Sequence, residues 1–534
     1  MSTRAPAGAE STAPRLHSRV LLGLTAHAVT VECHASSGLP ATTIVGLTEA
    51  AVRESRDRVA SAMKNSGFEY PEGKVVINLA PGGLSKNSAA LDLPIALSVL
   101  AATEQVHRHH LQALEFLGEL GLFGELRPIN GALACALASR RAERQLIVPR
   151  ANLGEVAVAP PNTVSVARDL REVAAILNAA ELSLPAPDRA PQVQPGAAET
   201  APGRQRRSSD STSPGFEARS HFDQVIGQQA AKRALTIAAA GGHHLLMVGP
   251  PGTGKTMLAR SFSELLPPLD EQARLEVAAV YSAAGMPRED FAAVPFRDPH
   301  HSASAPALVG GGNPPAPGEI ALAHHGVLFL DELPHFKPSA LNLLREPIET
   351  GRAVIARAKY KVVFPCRFQL IAAMNPCPAG RTCSENACRC TPTQVQRYQG
   401  RISGPLLDRI DIQVQVPALS GPVLAKLERQ AAAPQLASAK KQVTRARGRQ
   451  LERQGTVNAA LSGQALNAHI HAADLDPAYL QGAIARYRLS ARSYHKLWRI
   501  ARTIADLEEV DAIRPGHMTE AMGYRALDWE AGVG

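Results

Sequence analysis

The feature that most constrains the fold is the stretch GPPGTGKT at residues 249–256, set between an apolar run and a helix start. His244-Leu245-Leu246-Met247-Val248 before it reads as a buried parallel strand, and Met257-Leu258-Ala259-Arg260 after it opens a helix. Strand, glycine loop and helix is the order that a phosphate-binding loop requires. Gly249, Gly252 and Gly254 let backbone N–H groups turn inward around phosphates where side chains would clash, with Pro250, Pro251 and Thr253 completing the loop. The helix aims its positive end at the same anion. Lys255 is placed to reach the β- and γ-phosphates of ATP, and Thr256 to hold Mg²⁺ through its hydroxyl. A purely structural glycine turn leaves Lys255-Thr256 unexplained.

The chain has 534 residues, room for about three domains. Its net charge of +9 favours a polyanionic partner, a property shared by ribosomal, membrane-surface and DNA-binding proteins. No apolar run has the length of a membrane span; residues 91–102 are too few and include Asp92 and Pro94. The first residues lack the apolar core of a signal peptide, so a cytoplasmic location is expected. In that setting the seven cysteines do not suggest a disulfide framework.

Composition divides the chain. Residues 1–17 read as a loose tail and 18–182 as a mixed α+β domain. In that domain, strands are expected at 29–34, 75–79, 116–120, 124–128 and 145–148, and helices at 50–65, 93–102 and 133–144. Residues 183–215, rich in Pro, Ala, Ser and charge, read as a flexible linker whose Arg204, Arg206 and Arg207 either touch nucleic acid or are simply solvated. Residues 216–419 form an α/β nucleotide-binding core, and 420–534 a helical lid.

In the core, Gly326-Val327-Leu328-Phe329-Leu330-Asp331-Glu332 is a buried strand with an acidic tip. Asp331 there suits the Mg²⁺ shell, and Glu332 suits polarising an attacking water. A second apolar strand, 368–374, ends in Asn375, an amide placed to contact the γ-phosphate or that water. Arg352, Arg357, Lys359 and Lys361 lie in a segment of β character, which fits a hairpin offering cations to DNA phosphates and equally a solvated strand edge. Lys440, Lys441, Arg445, Arg447, Arg449 and Arg453 form a basic helix open to the same two readings. Pro299-His300-His301-Ser302 reads as a hydrogen-bonding or DNA-contacting loop. Cys377, Cys383, Cys388 and Cys390 lie within fourteen residues and fit either one Zn²⁺ or unmetallated thiols.

The ordered set of GPPGTGKT, FRDPHHSASAPALVGGGNPPAPGEIALAHHGVLFLDE, AAMNPCP, QRYQGRISGPLLDRIDIQVQVP and LSARSYHKLWRIARTIADL resembles the YifB/ComM family of magnesium-chelatase-like AAA+ ATPases. The resemblance covers nearly the whole chain apart from the tail and linker. It implies a P-loop motor core with a helical lid, acting as a six-membered ring, with inserts within residues 296–325 and near 352–365. It implies that Ile226 and Gly227 pack against adenine, that Arg409 points into the neighbouring subunit's nucleotide, and that Arg492 is a second phosphate-sensing arginine on the lid. From the residues alone, the alternative for Arg409 is an ion pair with Asp408 or Asp411, and for Arg492 a surface helix arginine. Family members begin the cysteine segment Cys-Pro-Cys-Gly; here Ala379 replaces the second cysteine, which puts zinc in question. The stretches 80–86 and 126–131 resemble a Lon-protease-like domain, but the aligned serine and lysine positions hold Ala90 and Leu133. Ser85, Lys86 and Ser88 nearby read as loop residues, and no protease activity is expected. The resemblance implies an ATP-driven DNA branch-migration motor in natural transformation. The alternatives are a chelatase-type motor that remodels a protein partner and a non-catalytic DNA scaffold.

Overall fold

The computed structural model describes residues 13–46, 50–84, 86, 89–182, 220–286, 288, 290–357, 360–380, 390–419, 434–473, 475–476 and 491–525. The expected linker, Ser85, Ser88, Lys359, Cys383 and Cys388 lie outside these residues.

The N-terminal domain is built on a seven-stranded mixed sheet. Its strand order is Ala41–Val45, Lys74–Ala80, Thr25–Ser36, Arg15–Leu22, Leu114–Phe116, Gln145–Pro149, Val164–Ala167. The alternation of apolar and polar residues in Thr25–Ser36 buries Val29, Val31 and Cys33 on one face. The almost wholly apolar helix Asp92–Ala102 packs against that strand. The helices Ala50–Asn65 and Ala132–Arg141 also form where expected. Three expectations change. The tail is shorter than 1–17, because Arg15 to His17 already pair in the first strand. The expected strand 116–120 breaks at Gly118, where a Cβ would lie 2.9 Å from Leu126: Phe116 ends the sheet strand Leu114–Phe116, and Glu119–Leu120 form a short ribbon with Leu126–Arg127. The strands Ala41–Val45 and Val164–Ala167 are additional, each too short to give a clear period.

The motor core is a five-stranded parallel sheet in the order Phe296–Arg297, Val327–Leu330, Gln369–Met374, Leu245–Val248, Ile412–Gln415. Burial on both faces explains why the three central strands, Val327–Leu330, Gln369–Met374 and Leu245–Val248, are nearly continuous apolar runs, while the edge strand Ile412–Gln415 alternates. In a parallel sheet every strand ends on the same edge, so the residues just after Val248, Leu330 and Met374 meet there. The hairpin Arg352–Arg357 and Tyr360–Pro365 stands apart as its own antiparallel pair.

The lid helices Leu436–Gln454, Gly463–His471, Ala491–Leu507 and Pro515–Gly523 pack on the helix Gln229–Gly241 around buried Trp498, Ile500 and Ile504. The lid also accounts for much of the basic helix's charge. Arg445 pairs with Glu509 at 2.9 Å, Arg449 with Asp511 at 2.5 Å and Arg453 with Asp506 at 2.7 Å. Arg447 donates to Ala239 O and Gln369 Oε1, and burial lowers its pKa to about 10. Four of the six cations therefore have partners within the protomer.

The two large units touch through small residues. Gly131 N–H donates to Ser282 O at 3.0 Å, and Ser282 Oγ meets the buried Glu155 carboxylate. Gly23 lies so close to Val362 of the hairpin that a Cβ there would be 2.2 Å from Val362 Cγ1. The inner hairpin face, Ala353, Ile355, Val362 and Phe364, is thus buried, with Leu22 and Leu24 packed against its cluster.

Candidate nucleotide site

The phosphate loop is held open. Gly249 approaches the chain end of the neighbouring strand so closely that a Cβ would lie 2.1 Å from Val416 O. Gly254, at φ +88, caps the helix Lys255–Leu265 in the left-handed region, where only glycine is unstrained. Lys255 is only 8% exposed. Its ammonium donates to Gly249 O at 2.7 Å, Pro250 O at 2.8 Å and Asn375 Oδ1 at 3.2 Å. Burial lowers its pKa against the opposing pull of Asp331 and Glu332. A buried cation resting on neutral acceptors lacks a counter-charge, and a phosphate supplies one.

Beside it, Thr256 Oγ1 donates to Asp331 Oδ2 at 2.8 Å, while Asp331 Oδ1 accepts from Glu332 N–H at 2.8 Å. A hydroxyl and a carboxylate so joined are hard oxygen donors that fit Mg²⁺. Glu332 itself has φ +51, uncommon for a side-chain-bearing residue, and its side chain is half exposed. Lys255, Thr256, Asp331, Glu332 and Asn375 therefore lie together at one edge of the sheet. Ile226 and Gly227 form a turn completed by Gln228, whose Nε2 donates to Pro417 O at 2.8 Å. Gln228 and Gly249 thus adjoin the same segment, 416–417.

His301 was not assigned to this site from sequence. Its Nδ1 lies 3.3 Å from Glu332 Oε2, because residues 298–301 leave the strand Phe296–Arg297 that pairs with the acidic strand. The paired histidines following a strand were the available signal. Asp298 is close enough for Asp331's charge to add to burial in raising its pKa.

The two arginines do not lie on the phosphate loop of their own chain. Arg409 Nη2 sits 2.7 Å from Glu349 Oε1, and its Nε donates to Arg345 O at 3.1 Å. The expected alternative partners fail: Asp411 is taken by His243 at 3.3 Å and Lys496 at 3.6 Å, and no pairing of Arg409 with Asp408 occurs among the described residues. Arg492 also reaches Glu349 Oε1, at 2.6 Å.

On the hairpin, Arg352 and Lys361 share the outward face with the exposed rung Val354 and Val363. Arg357 falls on the opposite register, with Nη2 3.8 Å from a Cβ built on Gly311, so one strand face does not carry all the cations. Cys377 is disulfide-bonded and Cys390 is a free thiol. Of the four cysteines in the zinc expectation, only these two fall among the described residues.

Glu276, His324 and His325 bring ligand-type atoms within 4.8 Å of one another. However, Arg367 N–H donates to His324 Nδ1 at 3.0 Å, which fixes the remaining proton on Nε2, aimed at Glu276 Oε2 3.0 Å away. A metal needs that lone pair free; the trio is a hydrogen-bonded clamp.

Residues 221–424 match the model of magnesium chelatase subunit ChlI, residues 31–152 that of subunit ChlI of Mg-chelatase, and residues 435–525 that of the ChlI C-terminal region. The chain is 44% identical to the uncharacterized protein YifB of Salmonella typhimurium over 96% of its own length and 97% of the relative's. It belongs to the YifB/ComM family of magnesium-chelatase-like proteins. Another YifB/ComM relative, the competence protein ComM of Haemophilus influenzae, is 42% identical over the same shares of the two chains. The magnesium-chelatase 67 kDa subunit of Heliobacterium mobile matches over a shorter stretch, 29% identical across 29% of this chain and 28% of that subunit. Membership in this AAA+ family accords with use of ATP and Mg²⁺ at the site just described.

Proposed function

We propose that this YifB/ComM-family chain is a ring-forming ATPase, six protomers to a ring, that moves branched or single-stranded DNA during recombination of incoming DNA. The observation that carries the reading is the joined set of Lys255, Thr256, Asp331 and Asn375 on one edge of a parallel sheet. The name of the Haemophilus relative supports the link to competence. Lys255 and the loop N–H groups hold the triphosphate, and Thr256 and Asp331 hold Mg²⁺, which when bound neutralises phosphate charge. Glu332 orients and deprotonates the attacking water, Asn375 fixes its direction, and Arg409 acts on the neighbouring protomer's nucleotide. The N-terminal domain is read as a Lon-like scaffold without protease chemistry. Ala90 lines a cleft of about 370 Å³ against the motor, Leu133 is buried, and Lys86 spends its ammonium on Pro81 O and Leu84 O.

Unwinding of a labelled three- or four-strand junction with ATP tests the reading. The parent chain should resolve the junction and Lys255→Ala should not. ATP turnover stimulated by a protein partner and indifferent to DNA would instead favour the chelatase-type motor, to which the Heliobacterium match points.

Arg352 and Lys361 are the proposed phosphate contacts on the outward hairpin face. Changing either to Ala should weaken DNA binding alike on all sequences and reduce the slope of log K against log salt by about 0.7–0.9. A slope equal to the parent's in both variants removes the hairpin from the DNA path.

A further inference from the structure

Three separate elements converge on one carboxylate oxygen. Glu349 belongs to the short helix Arg345–Thr350, which passes through Gly351 at φ +65 directly into the hairpin. Arg409 follows the helix Gly404–Leu407, and Arg492 stands in the first turn of the lid helix Ala491–Leu507. Their guanidinium groups reach the same Glu349 Oε1 at 2.7 and 2.6 Å.

Fold stability alone is a poor reason for this arrangement. Exposed ion pairs contribute roughly 0–1 kcal/mol, and two like charges on one oxygen repel each other. Arg409 is nevertheless held tightly: its side chain is 11% exposed, and all three of its nitrogens have acceptors, in Glu349, Arg345 O and Pro405 O. Glu349, by contrast, is 42% exposed, so the cluster opens outward. Two guanidinium groups on one carboxylate leave a net positive charge. That is a surface prepared for an anion richer in charge than Glu349.

We propose that Glu349 is a positioning residue that sets Arg409 and Arg492 as a pair for the triphosphate held by the adjoining protomer. This rests on the reading of Arg409 as acting across the subunit boundary. It adds that Arg492 works with it rather than on its own chain's nucleotide. When the neighbour's phosphates arrive, they share the two cations with Glu349, and the carboxylate limits how far each guanidinium swings. Without it, the two cations repel and neither is held at its angle.

The test uses the full chain and ATP turnover in mixed rings. Lys255→Ala chains have an intact arginine pair but no working pocket; Arg409→Ala chains have the reverse. Mixing the two should restore turnover that neither shows alone. Glu349→Ala and the isosteric Glu349→Gln should each lower kcat by about 10- to 100-fold with KM for ATP within about twofold and the thermal midpoint unchanged. Mixing either with Lys255→Ala should restore turnover as Arg409→Ala does. Parental kcat in both Glu349 variants would overturn the proposal, as would a loss that mixing fails to rescue while Arg409→Ala is rescued; the reading of Arg409 would survive. Failure of the Arg409→Ala and Lys255→Ala mixture would overturn the reading of Arg409 itself, and the proposal with it.

Discussion

Glu332→Gln should bind ATP about as well as the parent and turn it over at least about 100-fold more slowly, the size of effect a positioned general base supplies. The amide keeps the side chain's volume and an oxygen that His301, 3.3 Å away, can still meet. What it loses is the ability to take a proton from water. Binding should persist because its groups lie elsewhere. Lys255 is held by Gly249 O, Pro250 O and Asn375 Oδ1, and Thr256 by Asp331, none of which uses the Glu332 side chain. The backbone contact of Glu332 N–H with Asp331 Oδ1 also survives the change. Nucleotide affinity by fluorescence, measured beside phosphate release, separates the outcomes. Turnover equal to the parent's removes Glu332 from hydrolysis. Loss of binding and turnover together makes it part of the phosphate cradle instead.

That the acidic strand, the phosphate loop and Asn375 were legible in sequence has a physical reason. A parallel strand buried on both faces must be an apolar run, and the residue that leaves it must stand at the common edge of the sheet. Chemistry at such a site is therefore written in short contiguous stretches. The helices and strands with strong periods, such as Ala50–Asn65 and Lys74–Ala80, were legible for the same local reason. What escaped depends on pairs far apart in the chain. Glu349 and Arg492 are 143 positions apart, and nothing in either neighbourhood names the other. The basic helix looked like a nucleic-acid face because its counter-charges lie far away in the chain, Asp506 near the end of the helix Ala491–Leu507 and Glu509 and Asp511 just beyond it. His301 was visible as an unusual residue, but its partner was fixed only by the pairing of Phe296–Arg297 with Val327–Leu330.

Acid should destabilise the protein below about pH 6.5, and the cause lies in two histidines beside the Asn375 strand. His244 Nδ1 accepts from Leu370 N–H at 2.9 Å and His324 Nδ1 from Arg367 N–H at 3.0 Å. Neither nitrogen can take a proton without losing that bond. Burial holds both rings at a pKa of about 4 against the ordinary 6.5; His325 lowers His324 further while Glu276 opposes, and Asp411 opposes the shift at His244. The folded pKa is depressed, so between these values the unfolded chain binds protons that the folded chain refuses, and stability falls as pH falls. The full stability is present above pH 6.5, the loss runs from there to about pH 4, and below that it levels off for these two groups. Each histidine contributes a slope of up to about 1.4 kcal/mol per pH unit, hence up to about 3 kcal/mol over the window. Glu276, lowered to about 2, loses its stabilisation only below its ordinary 4.5, whereas Asp92, pushed up by burial to about 6, favours the folded chain as it protonates and offsets part of the loss below pH 6. Denaturant unfolding between pH 7.5 and 4.5 should show a loss of several kcal/mol. His324→Asn keeps an oxygen for Arg367 N–H but has no proton to bind, so it should lower stability at pH 7.5 and take about half of the slope away. Stability that stays flat from pH 7 to 5 would mean that the two backbone bonds do not hold these rings neutral.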